Sequence, residues 1–270
     1  MTILLHGKTF SKEVEIHLIS FIDQLLALNI NIIYTKPFYE ILKKCTSIHN
    51  NKMIKPISSL DDTKEEINYL ICFGGDGTIL NAATIVKNSG IPIVGINTGR
   101  LGFLATIAKN EVSKLMEKLI QKKYTLSNRT VLSISTNTDV IKLPFALNEI
   151  SVLSKENTSM MNIKVFLNNE YLNTYWADGL IISTPTGSTG YSLSCGGPIV
   201  MPESNNFIIT PIAPHNLNVR PLIISDSNII RIEIADNPNE EFLLSMDSRN
   251  YSILNKTPLI IKKANYNIKL

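Results

Sequence analysis

Residues 68–87 read Asn-Tyr-Leu-Ile-Cys-Phe-Gly-Gly-Asp-Gly-Thr-Ile-Leu-Asn-Ala-Ala-Thr-Ile-Val-Lys, and this stretch decides the fold class. The apolar run 68–73 has the length of a buried strand, and residues 79–87 predict a helix. A strand that passes through a glycine cluster into a helix is the building unit of a parallel sheet covered by helices. The same alternation surrounds it. Residues 2–5, 30–34 and 91–96 predict strands, and residues 12–28 predict a helix with Val14, Leu18, Phe21, Ile22 and Leu25 on one face. Asp61-Asp62 marks a short helix ahead of the strand 68–73, and residues 111–122 form a further amphipathic helix. In such sheets ligands lie beyond the carboxyl ends of the strands, where the glycine cluster falls.

From Tyr124 onward the pattern changes to short β-branched runs at 132–135, 163–167 and 229–234, separated by turn clusters at Asn168-Asn169, 226–228 and 236–239. The expected organisation is therefore an amino-terminal Rossmann-like parallel α/β domain over residues 1–123, followed by a mainly antiparallel β domain over 124–270. The last strands are expected to pack back on the first domain. Neither internal repeats nor low-complexity segments interrupt the chain.

With 270 residues, 44% of them hydrophobic and 18% charged, the chain has ample material for a folded core, which excludes a disordered protein. Lys and Arg number 26 against 23 Asp and Glu, a net charge of +3 that falls far short of a nucleic-acid binder and suits a small anionic ligand. The pairs Lys43-Lys44, Lys122-Lys123 and Lys262-Lys263 are scattered rather than gathered into an arm. No segment approaches the roughly 18 unbroken apolar residues of a membrane span, and a cytoplasmic protein is expected. Cys45, Cys72 and Cys195 lack CxxC spacing and read as reduced thiols, while His6, His17, His49 and His215 lack metal-ligand spacing, so no metal-ligating residue is assigned.

Three motifs carry chemistry. In Gly74-Gly75-Asp76-Gly77-Thr78 the glycines let backbone N–H groups approach an anion, and the helix start adds partial positive charge. Asp76, the ionisable group of this loop, can orient a hydroxyl, accept its proton, or hold magnesium through water; it can equally serve as a helix cap. The run 178–198, Asp-Gly-Leu-Ile-Ile-Ser-Thr-Pro-Thr-Gly-Ser-Thr-Gly-Tyr-Ser-Leu-Ser-Cys-Gly-Gly-Pro, leads a strand into a loop dense in hydroxyls, with one aromatic face for a base or ribose. Asn148-Glu149 places an amide beside a carboxylate at a strand end. GxGxxG and GxxxxGK[ST] are both missing, which disfavours hydride transfer and P-loop hydrolysis.

Taken in order, GGDGT at 74–78, NTGRLGFL at 97–104, NE at 148–149 and DGLIISTPTGSTGYSLSCGGPI at 178–199 closely resemble the NAD kinase family over most of the chain. GGDGT is shared with phosphofructokinases and lipid kinases, whereas the long second motif is specific to NAD kinases. The resemblance implies transfer of the terminal phosphate of ATP, or in some members of inorganic polyphosphate, to the 2'-hydroxyl of the adenosine ribose of NAD, giving NADP. A divalent metal, usually magnesium, assists. Asp76 then matches the catalytic residue and Gly77 lines the same pocket, while Asn148 and Glu149 match the pair that holds the ribose. Asp178 matches a carboxylate contacting the nicotinamide portion. Thr186 and the stretch Thr189, Gly190, Tyr191, Ser192, Leu193 and Ser194 match the loop around the dinucleotide. Family sites are completed by a neighbouring subunit, which implies a homodimer or homotetramer.

Departures from the family pattern are Gly190, where many members have Ala, Asn81, where several have a basic residue, and Trp176, where some have Arg. Residues 245–249 stand in place of an Asp-Gly-Gln-like turn, and no binding residue is carried over from them. The chain also reaches Leu270 without the aromatic, basic helix in which the family usually ends, so the amino-terminal domain is expected to cover that sheet face by other means. The alternatives are a lipid kinase sharing GGDGT, against which the loop 185–197 would have no role, and a non-catalytic NAD(P) sensor, which would be expected to lose Asp76 first.

Overall fold

The computed structural model describes residues 1–8, 11–44, 56–99, 102–155, 160–216 and 218–270, apart from the Ser113 side chain. Cys45, His49, Arg100 and Leu101, which enter the sequence reading, lie outside the described residues. The chain divides into two compact units, Met1–Asn128 with Ile268–Leu270, and Arg129–Asn267.

The first unit runs β1 (Thr2–Gly7), α1 (Lys12–Ala27), β2 (Asn31–Tyr34), α2 (Lys36–Leu42), β3 (Tyr69–Gly74), α3 (Asp76–Val86), β4 (Ile93–Asn97), β5 (Ile107–Ala108) and α4 (Val112–Ile120), and the chain leaves it at β6 (Asn128–Arg129). One sheet, in the order β2-β1-β3-β4-β5, is parallel throughout. Chain progression reverses between β1 and β3, the place where a doubly wound sheet opens a ligand crevice. Helix α1 begins at Ser11, whose hydroxyl accepts from the Val14 N–H, and carries Glu13 and Glu15 in its first turn, where the helix dipole favours negative charge. It buries the face Val14, Leu18, Phe21, Ile22 and Leu25. Phe73 centres the core, stacked on Phe38 and tilted against Phe21. Gly7 is required there, because a Cβ would lie 2.5 Å from the Phe38 ring.

The helix expected at 79–87 starts one turn earlier, at Asp76, with Gly75 as its N-cap residue. Of the glycines that read as loop, Gly74 ends β3, Gly75 caps the helix and Gly77 lies in its first turn, where helix propensity matters least. The return of the chain is local: Ser127 and Leu270 exchange backbone hydrogen bonds of 2.8 and 2.9 Å, which ties Ile268–Leu270 into the first unit.

The second unit runs β7 (Leu132–Ser135), β8 (Phe145–Ala146), β9 (Glu149–Ser154), β10 (Met161–Leu167), β11 (Glu170–Ala177), β12 (Gly179–Ser183), α5 (Tyr191–Ser194), β13 (Asn206–Ile212), β14 (Leu222–Ser225), β15 (Ile230–Ile234), β16 (Glu241–Met246), β17 (Arg249–Leu254) and β18 (Leu259–Lys263), before β19 (Ile268–Lys269). Among the described residues its sheets follow the orders β11-β10-β15-β18-β7-β8 and β14-β13-β12-β9-β16-β17, with antiparallel neighbours. Alternate side chains of both, such as Ile163 and Val165, Ile230 and Ile232, Leu180 and Ile182, and Phe242 and Leu244, meet in one apolar core. Strand β12, flanked by β9 and β13, is buried along its whole length and delivers the chain into the hydroxyl-rich loop. The architecture is the expected one: a parallel α/β sheet followed by antiparallel β sheets.

His6 on β1 is buried, its Nδ1 2.9 Å from the Thr35 hydroxyl. Burial pushes its pKa from 6.5 down to about 4, opposed by the neighbouring Asn81 side chain and aided by the Lys8 charge. The unfolded chain then binds more protons than the folded one at mildly acid pH, so stability rises with pH. The contribution, about 3 kcal/mol, is complete above the unfolded value and is lost as pH falls through the folded one. Denaturant melts between pH 4 and 7 should therefore show a slope that flattens in His6→Gln.

Candidate active site

Motif residues gather at one place in each unit. In the first, β3 ends at Gly74, where a Cβ would sit 2.1 Å from the Thr78 hydroxyl; the turn closes this tightly because a hydrogen atom stands there. A Cβ on Gly75 would meet nothing within 4 Å, and one on Gly77 would meet the Lys8 ammonium at 4.0 Å. The loop thus presents backbone, a helix start and one cation to open space, the arrangement that attracts phosphate.

The Asp76 carboxylate does not cap its own helix. It reaches across to the segment after β4, where Oδ2 accepts from the Phe103 N–H at 2.8 Å, and Oδ1 accepts from Leu104 and Ala105 at 2.9 and 3.1 Å. Gly102 makes the approach possible, since a Cβ there would lie within 2.2 Å of Oδ1. Asn97 braces the same segment by donating to the Ala105 carbonyl and accepting from the Gly99 N–H. A carboxylate offers about four acceptor directions. Three of them are used among the described residues, two at Oδ1 and one at Oδ2.

In the second unit, Asn148 and Glu149 open β9 and pack against the loop that follows β12. Thr184 ties the two together: its hydroxyl donates to the Leu147 carbonyl at 2.6 Å and its N–H to the Asn148 carbonyl at 2.9 Å. A Cβ on Gly187 would lie 2.1 Å from the Asn148 carbonyl oxygen, and one on Gly190 would lie 2.8 Å from Glu149 Oε2 and 3.3 Å from Asn148 Nδ2. Glu149 Oε2 and Asn148 Oδ1 are buried without a hydrogen-bond partner among the described residues. Burial, and next the Asp247 charge, push the Glu149 carboxyl up to about 7, against the pull of the Tyr191 backbone N–H. The Tyr191 hydroxyl is raised by burial and then by Cys195, Asp178 and Glu149, which brings Asp178 into the same electrostatic neighbourhood.

The predicted residues of the long motif therefore divide. Asp178, Tyr191, Leu193 and Ser194 are exposed, and Thr189 and Gly190 half-buried. Ser192 and Thr186 are buried, and the Ser192 hydroxyl is already paired with Thr210 at 2.8 Å. Asp76 and Gly77 belong to the other unit.

Sequence reasoning missed Asp247 and Lys8. Asp247 sits in the two-residue turn between β16 and β17, where it and Ser248 take positive φ values of 46° and 67°, the conformation a tight hairpin requires. Its carboxylate is 2% exposed and accepts from the N–H groups of Leu147, Asn148 and Glu149 at 2.6, 2.8 and 3.1 Å. The available signal was the position of the Asp in an Asp-Gly-Gln-like turn. Arg249, where that pattern has Gln, donates to the carbonyls of Leu143, Phe145 and Met246, and so braces the hairpin. Three surface hollows of about 610, 560 and 760 Å³ are lined by residues outside the motifs.

Comparisons with known proteins agree on both units. Residues 7–124 match the family model "ATP-NAD kinase N-terminal domain" and residues 147–270 match "ATP-NAD kinase C-terminal domain". A protein of Flavobacterium psychrophilum named NAD kinase is 50% identical over 245 residues, covering 90% of this chain and 82% of the relative. One of Bacteroides fragilis with the same name is 39% identical over 271 residues, covering 100% and 92%. Among solved structures, yeast NADH kinase complexed with NADH superposes with a TM-score of 0.88 at 25% identity, covering 100% of this chain and 82% of that one. An NAD kinase from Archaeoglobus fulgidus in complex with ATP gives 0.79 at 25% identity, covering 100% and 93%.

Because Gly102 admits the Asp76 carboxylate, Gly102→Ala should expel it from the three N–H groups. The expected cost is about 1–3 kcal/mol in a denaturant melt, the range of an overpacked site.

Proposed function

The chain belongs to the NAD kinase family, and on that premise we propose how its own residues share the work of moving the terminal phosphate of ATP onto NAD. It is an enzyme that takes NAD and ATP as substrates. The acceptor is the 2'-hydroxyl of the adenosine ribose. Its oxygen attacks the terminal phosphorus, the new O–P bond forms as the bond to the bridging oxygen breaks, and the hydroxyl proton passes to Asp76 Oδ2; NADP and ADP leave. A carboxylate is a weak base toward an alcohol, so Asp76 acts late and mainly by orientation. The observation that carries this role is the acceptor direction that, among the described residues, Oδ2 keeps after the loop 103–105 has taken the other three.

Gly77 and the Lys8 ammonium face the transferred phosphate. Asn148 and Glu149, whose Oδ1 and Oε2 are buried without a hydrogen-bond partner among the described residues, hold the ribose. Asp178 faces the nicotinamide portion. Thr186, Thr189, Gly190, Tyr191, Ser192, Leu193 and Ser194 form the wall around the dinucleotide, Tyr191 and Leu193 by surface, and Ser192 by fixing the loop through Thr210.

A divalent cation, magnesium by its oxygen chemistry, would supply positive charge against the charge that develops on the transferred phosphoryl group. Among the described residues, groups of three or more His, Cys, Asp or Glu placed to hold a metal are absent. Magnesium would keep its waters and be held chiefly by the substrate phosphates, with Asp76, the carboxylate of this loop, reaching it through one of those waters. Among the described residues no helix is long and apolar enough to cross a membrane. We place the working enzyme in the cytoplasm as a homodimer or homotetramer.

Purified protein with magnesium, ATP or polyphosphate as donor, and NAD or NADH as acceptor, should yield product read by an NADP-specific dehydrogenase. ATP with NAD is the expected pair, and absence of product there would overturn the reading. Asp76→Asn should lower turnover by about 10²- to 10⁴-fold with NAD affinity nearly unchanged. Equal activity in that variant would remove Asp76 from the proton path.

A further inference from the structure

We propose that Asp247 is a positioning residue for the acceptor nucleotide: its buried carboxylate clamps the backbone of Leu147, Asn148 and Glu149, and so aims the two side chains that hold the ribose. The inference rests on the role given above to Asn148 and Glu149. In an extended strand successive N–H groups point to opposite sides. Here three in a row converge on one carboxylate, so the chain bends into a concavity of the kind that binds anions. The anion is part of the protein, supplied from a turn 98 to 100 residues further along the chain. The clamp has its own brace: Arg249 stands 3.9 Å from Asp247 Oδ2 and donates to the carbonyls of Leu143 and Phe145, which lead into the clamped segment.

Asp247 also shapes the charge of the site. Two carboxyl groups share this buried place and are unequally provided for. Burial raises Asp247, while three N–H groups and Arg249 pull it back. Glu149 has the Tyr191 N–H and faces the Asp247 charge, with the Tyr191 hydroxyl, Asp178 and Cys195 beyond it. Of the pair, Asp247 therefore keeps the charge and Glu149 takes the proton. An ionised Glu149 accepts from both hydroxyls of a ribose through charge-assisted bonds, so NAD binding tightens as pH rises through its midpoint.

The test is steady-state kinetics and calorimetric NAD titration of the full chain from pH 5.5 to 8.5. Asp247→Asn should raise the KM for NAD by about 10²-fold, the scale of a displaced binding group, with a far smaller effect on kcat at saturation. It should also move the inflection in NAD affinity to lower pH by about one pH unit, because a like charge has been removed. Glu149→Gln should abolish that inflection. A merely structural role would lower the melting temperature and kcat together and leave the inflection in place. A folded Asp247→Asn with wild-type KM and an unmoved inflection overturns the inference. If that variant does not fold, Asp247→Ser, whose hydroxyl can accept one of the three N–H groups, should give an intermediate KM, and a wild-type KM again overturns it. Asn148→Ala separates the two readings. Unchanged NAD affinity there removes the ribose role of the pair, whereas its loss alongside an unaffected Asp247→Asn overturns the role of Asp247 alone.

Discussion

A carboxylate packed against backbone has to be met by donors, and this chain meets two of them, half-buried Asp76 and buried Asp247, in the same way. Asp76 and Asp247 each accept from three successive backbone N–H groups of a distant segment, 103–105 for the first and 147–149 for the second. Each hydrogen bond to a charged group contributes about 1.5–3 kcal/mol, enough for three to offset a desolvation cost of several kcal/mol. The arrangement works in both directions. The carboxylate is met by donors, and a loop that would otherwise lack regular hydrogen bonds is held in one shape. In each unit the loop so held adjoins residues of the family motifs.

Close approach is the second constraint, and it explains where glycine stands. At Gly102 the obstacle to a side chain is the Asp76 carboxylate, and at Gly187 it is the Asn148 carbonyl. Both glycines serve contacts with a partner far along the chain. The hydroxyls of the long motif follow the same logic. Ser188 bonds the Pro185 carbonyl and the Val200 N–H, Ser192 pairs with Thr210, and Thr184 holds the strand that carries Asn148. Much of the hydroxyl density that reads as ligand chemistry is spent on building the loop.

This sets what could be read from the residues. Local periodicity made the alternating strands and helices of the first unit legible, down to the buried face of Val14, Leu18, Phe21, Ile22 and Leu25. The β runs of the second unit were equally plain. The start of α3 was not, because glycine and aspartate in a first turn look the same as a loop. Asp247 was illegible for a deeper reason. An aspartate in a two-residue turn is ordinarily a surface residue, and its burial follows from sheet order: β16 lies beside β9, so the turn after β16 meets the residues before β9. Pairing of that range is a property of the whole fold. The partners of Asp76 were hidden likewise, since placing residues 103–105 beside it requires β3 and β4 to be neighbours.

Phosphoryl transfer makes such clamps useful. The reaction asks for little covalent work and much positioning, and effective molarities of about 10⁵–10⁸ M are reached only when reacting groups are held near their attack geometry. A side chain is aimed no better than the backbone that carries it. Asn148 and Glu149 sit at the first residues of a strand, where ladder hydrogen bonds are incomplete and the chain would otherwise fray; the Asp247 carboxylate replaces the missing ladder with three bonds from one rigid group. Asp76 plays the reciprocal part, since the same bonds that fix residues 103–105 also fix the carboxylate, leaving its remaining acceptor direction set by the backbone rather than by a free rotamer. Within each unit the polar groups are thus oriented before any ligand arrives, so that binding free energy is not consumed in ordering them.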